Sequence, residues 1–197
     1  FHFFGIEVEL WRIGDSVPAP KFSVVAKPND WAKTVREAAT SSAPVTEIGK
    51  LRADYWGAFA TFLTQENSSF RPPKAANWGW QTWGLGRTNF QLCAVVNMRD
   101  GEIAVYLNLG GPDAEAHYQL LLAQQQEIEA GFEFDLVWEK MSKERKLIIR
   151  QVADTADVDA WPAQQEWLHR TMLAFQRVFK PLVRELDATE WSEPSDD

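Results

Sequence analysis

The sequence predicts an α+β domain, an antiparallel sheet of about five strands with helices packed on it. Three observations predict it. Apolar residues recur every three or four positions in three separate segments, which is the helical period. Between those segments they alternate with polar residues, which is the strand period. The alternating runs are joined by turn residues rather than by helical crossovers, so neighbouring strands run antiparallel. From Thr46 the order reads α-β-β-β-α-β-β-α.

The chain opens within an apolar alternation, and Phe3 to Ile13 reads as a strand. Asp15-Ser-Val-Pro-Ala-Pro20 interrupts it, and Lys21 to Lys27 reads as a second short strand ended by Pro28. Asn29 or Asp30 is placed to cap a short helix through Trp31 and Val35. The small residues from Ala38 to Pro44 read as a linker.

Thr46 is placed to cap the first long helix. Its expected apolar stripe is Ile48, Leu51, Tyr55, Phe59, Phe62 and Leu63. A loop follows from Asn67 to Ala76, then a strand from Trp80 to Gly86. Phe90, Leu92, Ala94, Val96 and Met98 alternate, as do Ile103, Val105, Leu107 and Leu109. Asp100-Gly101 between them reads as a type I′ hairpin turn, because both central positions of that turn need positive φ. A second helix begins at Asp113, buries Tyr118, Leu121, Leu122 and Ile128, and ends at Gly131. Phe134, Leu136 and Trp138 pair with Leu147 and Ile149 through a turn at Ser142-Lys143-Glu144. The last helix starts near Pro162 with a seam of Leu168, Met172, Phe175, Phe179, Leu182 and Leu186. Pro181 is expected to kink it or end it early.

The domain organisation follows. Residues 1–37 are a strand-rich opening, 38–44 a linker, 45–187 the α+β domain and 188–197 an acidic disordered tail. The apolar opening strand is expected to need neighbours upstream, so the chain reads as the C-terminal piece of a longer protein. One cysteine, Cys93, excludes an internal disulfide and fits the cytoplasm. No apolar run approaches the roughly 20 residues of a membrane helix. Net charge is −8, and half of it falls in the tail at Glu190, Glu193, Asp196 and Asp197. Such a balance argues against nonspecific phosphate binding over the whole surface, while leaving room for a local basic patch.

Catalytic patterns are thin. His2, His117 and His169 stand far apart without metal-ligand spacing. Cys93 lies mid-strand and reads as a buried structural thiol. Gly84-Leu85-Gly86-Arg87 resembles a phosphate loop, but a strand follows where such a loop must open a helix, so a turn or bulge is expected. Glu144-Arg145-Lys146 has the Glu-x-Lys form of a metal-dependent nuclease strand, with Asp135 before it. Its register is wrong for that role, since Glu144 falls in the turn and Asp135 pairs near Ile149. No cofactor is implied.

The segment from Asn67 to Arg99 carries the functional expectation. It holds Arg71, Lys74, Arg87 and Arg99 without one acidic residue, interleaved with Trp78, Trp80 and Trp83. Bases stack on exposed aromatics while cations hold phosphates. The hairpin tip adds Lys143, Arg145 and Lys146. Tryptophan on a strand is more often core. Core packing, a nucleic-acid surface and a protein contact therefore remain three readings of these residues.

A family resemblance enters here. The run from Phe3 to Trp31, then Ala53-Asp-Tyr-Trp-Gly-Ala-Phe59, Trp83-Gly-Leu-Gly-Arg-Thr-Asn-Phe90 and Val137-Trp-Glu139 resemble prokaryotic proteins in which a nuclease-like domain precedes a module filed as domain of unknown function 4268. The resemblance implies that residues 1–37 are the terminal strands and short helix of a PD-(D/E)xK-like domain. The catalytic residues of that domain would lie before Phe1, so none is carried over. Together with the opening strand and the acid-free Trp/Arg segment, it points to a noncatalytic accessory module assisting nucleic-acid binding or regulation in DNA metabolism or defence. The alternative is a protein–protein or homodimerisation module with no nucleic-acid contact.

Overall fold

The computed structural model describes the backbone of residues 5–11 and 19–26, and residues 46–141 and 145–192 in full. The expected short helix after Pro28, the linker at 38–44 and the hairpin tip with Lys143 lie outside the described residues. The chain divides into two compact units, Phe1–Val45 and Thr46–Asp197.

In the first unit, β1 (Gly5–Trp11) and β2 (Ala19–Ala26) form an antiparallel pair. β2 starts before the expected Lys21, and Pro20 sits opposite Leu10. A proline is tolerated there because each strand of a two-stranded sheet has a free edge, where no ladder hydrogen bond is lost.

The second unit is a five-stranded antiparallel sheet with helices. Its elements are α1 (Glu47–Gln65), β3 (Trp80–Gly84), β4 (Phe90–Asn97), β5 (Glu102–Leu109), α2 (Ala114–Leu122), α3 (Gln125–Glu129), β6 (Val137–Lys140), β7 (Arg145–Val152) and α4 (Trp161–Glu185). The strand order is β3-β4-β5-β7-β6. Alternate residues of the three central strands supply one apolar face. Phe90, Leu92, Ala94 and Val96 lie beside Ile103, Val105, Leu107 and Leu109, then Leu147 and Ile149. From α1, Tyr55, Trp56, Phe59 and Leu63 join the same core, and α4 adds Leu168, Met172, Phe175, Phe179 and Val183. Nearly all are fully buried.

Several local expectations need correction. Ile48 is exposed, and Trp56 takes the buried place on α1, where its indole N–H donates to the Trp78 carbonyl at 2.9 Å. The β4–β5 connection is not a two-residue I′ turn. Asn97 pairs with Glu102 across residues 98–101, and only Gly101 has positive φ, at 63°. The Asn97 side chain replaces the expected geometry by accepting from the N–H groups of Arg99 and Asp100 at 3.3 Å each.

The single helix expected from Asp113 to Gly131 is broken at Ala123–Gln124. The Gln124 side chain donates to the Leu120 carbonyl, and the Gln124 backbone N–H turns to Leu121 instead, a 3₁₀ step. Thr46 caps α1 by accepting from Gly49 N–H at 3.1 Å, whereas Asp113 precedes α2 without a side-chain cap bond. Pro181 neither ends α4 nor stands at its terminus, since the helix continues to Glu185. Ala188–Glu190, the start of the expected disordered tail, is a 3₁₀ turn.

Candidate functional site

The acid-free segment divides into residues turned inward and residues turned outward. Trp83 is spent on packing. Its ring meets Phe70 edge to face at 6.0 Å, and its indole N–H donates to the Arg71 carbonyl at 2.8 Å. Arg87 is spent on the end of α4. Its Nη1 donates to the carbonyls of Val183 and Leu186 at 2.9 and 2.5 Å, which carry the partial negative charge of a helix C-terminus. The same guanidinium lies over the Phe90 ring at 5.2 Å and reaches His117 Nε2 at 3.3 Å. Arg87 is therefore spent within the fold, while Trp83 is half-buried and leaves one side on the groove described below, and Gly84–Gly86 makes a turn with Gly86 at φ 91°, not a phosphate loop.

Trp78 and Trp80 turn outward. They are 47% and 53% exposed, with ring centroids 6.3 Å apart and planes inclined by 29°. Such exposure is unusual for tryptophan, whose large apolar surface normally goes inside. Their backbone is held firmly. The Trp78 carbonyl accepts from buried Trp56, and Val96 N–H donates to the Gly79 carbonyl at 2.7 Å. A Cβ at Gly79 would stand 2.9 Å from the Val96 carbonyl oxygen, so only glycine lets the two tryptophans flank this close approach.

Two shallow grooves meet at the pair. One, of about 460 Å³, is lined by Arg71, Lys74, Trp78 and Trp83. The other, of about 440 Å³, is lined by Arg52, Trp78, Trp80 and Asn97. Arg71 and Lys74 are exposed, and neither side chain has a hydrogen-bond or ion-pair partner among the described residues. Arg99 is exposed in the β4–β5 turn, two residues beyond Asn97.

Arg145 and Lys146 do not join this site. β3 and β7 are separated by β4 and β5. Three strand steps of about 4.8 Å place β7 on the order of 14 Å away, with β6 beyond it. The tip cations also have local partners. Arg145 Nε and Lys140 Nζ converge on Glu115 of α2 at 2.6 Å each, and Arg145 also donates to the Met141 carbonyl. Burial pushes the Glu115 carboxyl up, but hydrogen bonds from Lys140, Gln119 and Arg145 outweigh it and hold the pKa at about 2. Lys146 lies 4.9 Å over the Tyr106 ring. Arg150 binds Glu139 at 2.6 Å.

One basic feature was missed by the sequence reading. A groove of about 810 Å³ runs along α4, lined among others by Arg170, Arg177, Lys180 and Arg184. The seven-, three- and four-residue spacing of these cations was legible, but only the apolar seam of that helix was read. Among the described residues, no cluster of His, Cys, Asp or Glu could hold a metal ion. No helix among them is long and apolar enough to cross a membrane. Cys93 is buried.

Comparison with known proteins leaves the chemistry open. No curated protein matches the chain. Among solved structures, the crystal structure of the ExsC-ExsE complex is a distant likeness, with 12% identity and a TM-score of 0.36 over 64% of this chain and 94% of that one. The family described as domain of unknown function (DUF4268) matches residues 51–183, which is more than half of the chain, and the chain belongs to that family.

Proposed function

We propose that residues 46–192 are a noncatalytic accessory module that holds single-stranded nucleic acid for the nuclease-like domain implied by the family resemblance. The observation that carries this reading is the exposed Trp78–Trp80 pair beside Arg71 and Lys74, exposed cations without a side-chain partner among the described residues. Unpaired bases offer a π-face to such rings whatever their sequence, and stacking contributes about 1–3 kcal/mol per base. Arg71 and Lys74 supply a local phosphate attraction that the overall net charge of −8 does not. Rigid backbone around the pair keeps the ordering cost of binding small.

Fluorescence anisotropy of labelled single- and double-stranded DNA and RNA tests the reading. The wild-type chain is expected to bind single strands more tightly than duplex. Trp78→Ala with Trp80→Ala is expected to weaken single-strand binding at least tenfold. Absence of binding to every probe at low salt would remove the proposal.

A protein–protein reading has one observation in its favour, the same exposed tryptophans, since Trp anchors many interfaces. Light scattering against concentration decides it for a second copy of the chain. A dimer that dissociates on Trp80→Ala would favour this reading over nucleic acid.

A further inference from the structure

Resting on the nucleic-acid reading, we propose that the groove on α4 is a second part of the same site, a track in which Arg177, Lys180 and Arg184 take the phosphate backbone of a strand whose bases stack on Trp78 and Trp80. The three cations lie on one side of the helix, over about 10 Å at 1.5 Å per residue. Lys180 and Arg184 have no hydrogen-bond or ion-pair partner among the described residues. Arg177 uses one nitrogen on the Gly131 carbonyl at 2.9 Å, which leaves further N–H donors of its guanidinium available. Arg170 is excluded from the track, because it faces Glu133 at 3.6 Å and covers the Phe134 ring.

The groove and the tryptophan pair are joined through one loop. Ser68 Oγ meets His169 Nε2 at 2.9 Å and Ser69 Oγ donates to Gln176 Oε1 at 3.1 Å, so this loop is pinned to α4. Gln176 lines the α4 groove beside Arg177. Arg71 follows Ser69 by two residues, a reach of at most about 7 Å. Arg71 and Lys74 lie on the stretch between that anchor and Trp78, at the β3 edge of the sheet, so a strand leaving α4 reaches the tryptophans by passing round that edge.

The arrangement selects the ligand. The cations form a row along an open groove and do not converge on one point, which suits an extended polyanion better than a small anion. On an acidic chain, a row of exposed cations is a local reversal of charge. An acidic peptide would satisfy the row, but it would leave the stacked tryptophans without a use. A nucleic-acid strand uses both.

The test is the salt dependence of binding to labelled oligothymidylate of about 20 nucleotides, longer than the roughly 4–16 that one binding module covers. Each phosphate contact on a single strand contributes about 0.7 to the slope of log affinity against log salt. Arg177→Gln, Lys180→Gln and Arg184→Gln together are expected to flatten the slope by about 2, so that the affinity lost between about 50 and 200 mM salt shrinks about twentyfold. Trp78→Ala with Trp80→Ala is expected to weaken binding at every salt and leave the slope as it was. The pair Lys180→Gln and Arg184→Gln, which removes no hydrogen bond or ion pair among the described residues, is expected to flatten the slope by about 1.4. Circular dichroism is expected to be unchanged in every variant.

A wild-type chain that binds while the triple variant keeps its slope would overturn the track and leave the tryptophan site standing. A wild-type chain that binds no strand would overturn the nucleic-acid reading itself, and the track with it. Polyglutamate that displaces the oligonucleotide, and whose own binding loses the same slope in the triple variant, would make the groove an acidic-peptide site and overturn the track.

Discussion

Arg87 shows how far a side chain's role depends on what lies across the fold. In sequence it is one of four cations in an acid-free run. In the structure it closes the C-terminus of α4, 96 and 99 positions away. Arg87→Met removes the guanidinium from over Phe90 and both hydrogen bonds of its Nη1, leaving the Val183 and Leu186 carbonyls without a charged partner. The expected cost is about 2 kcal/mol, or a melting temperature lower by roughly 4–8 °C. Below the transition the variant is expected to bind nucleic acid as the wild type does, because the lost contact is structural. A large loss of binding in a folded Arg87→Met chain would return this arginine to the ligand surface.

Two histidines report on pH. His117 is held below its ordinary value of 6.5 first by burial and then by the Arg87 charge, with Asp113 and Asp187 opposing. His169 is lowered by burial, with Glu66 opposing. The folded rings stay neutral where the unfolded chain takes up protons, so protonation favours unfolding. Their contribution to stability is full above pH 6.5 and is lost as pH falls through the depressed values. Urea melts are expected to give lower stability near pH 5.5 than near pH 7.5, with a smaller difference in a His117→Gln, His169→Gln chain. An unchanged difference would place the titration elsewhere.

At the scale of elements, α4 does two jobs on opposite sides. Its seam of Leu168, Met172, Phe175, Phe179 and Val183 faces the sheet, and its cations line the groove. Pro181 interrupts the backbone ladder within it, since a proline cannot donate to the carbonyl of Arg177. The helix survives because its seam is buried on both sides of that point. Pro181→Ala is expected to stabilise the chain by about 1–2 kcal/mol, the restored hydrogen bond being partly offset by a more flexible unfolded chain. Chemical denaturation measures it, and a destabilised variant would show that the proline ring packs better than the missing bond costs. The broken α2–α3 segment makes a related point. Its period predicted one helix, and a competing side-chain bond from Gln124 ended it after Leu122.

At the scale of the whole molecule, residues 46–192 share one core between α1, α4 and the sheet. Phe175→Ala is expected to cost about 3–5 kcal/mol, a large fraction of a typical domain's total stability. Tryptophan fluorescence and far-ultraviolet dichroism are expected to lose structure together at the new midpoint, as in a two-state transition. Separate transitions would show that the sheet and the helices do not stand on one core.

The sequence by itself determined the α+β class, the order of the strands along the chain and the antiparallel pairing of β4 with β5 and of β6 with β7. These follow from periods of 3.6 and 2 and from turn residues, which act over a few neighbours. It also marked the acid-free tryptophan segment. Only the tertiary structure decided that Trp83 packs inward while Trp80 looks out. A strand turns successive side chains to opposite faces, and which face is covered depends on where α1 and α4 land. The same docking spent Arg87 on α4, set Arg145 and Lys146 three strands from the tryptophans, and tied Ser68 and Ser69 to His169 and Gln176 of α4. Those pairings join residues far apart in sequence, and no local period encodes them.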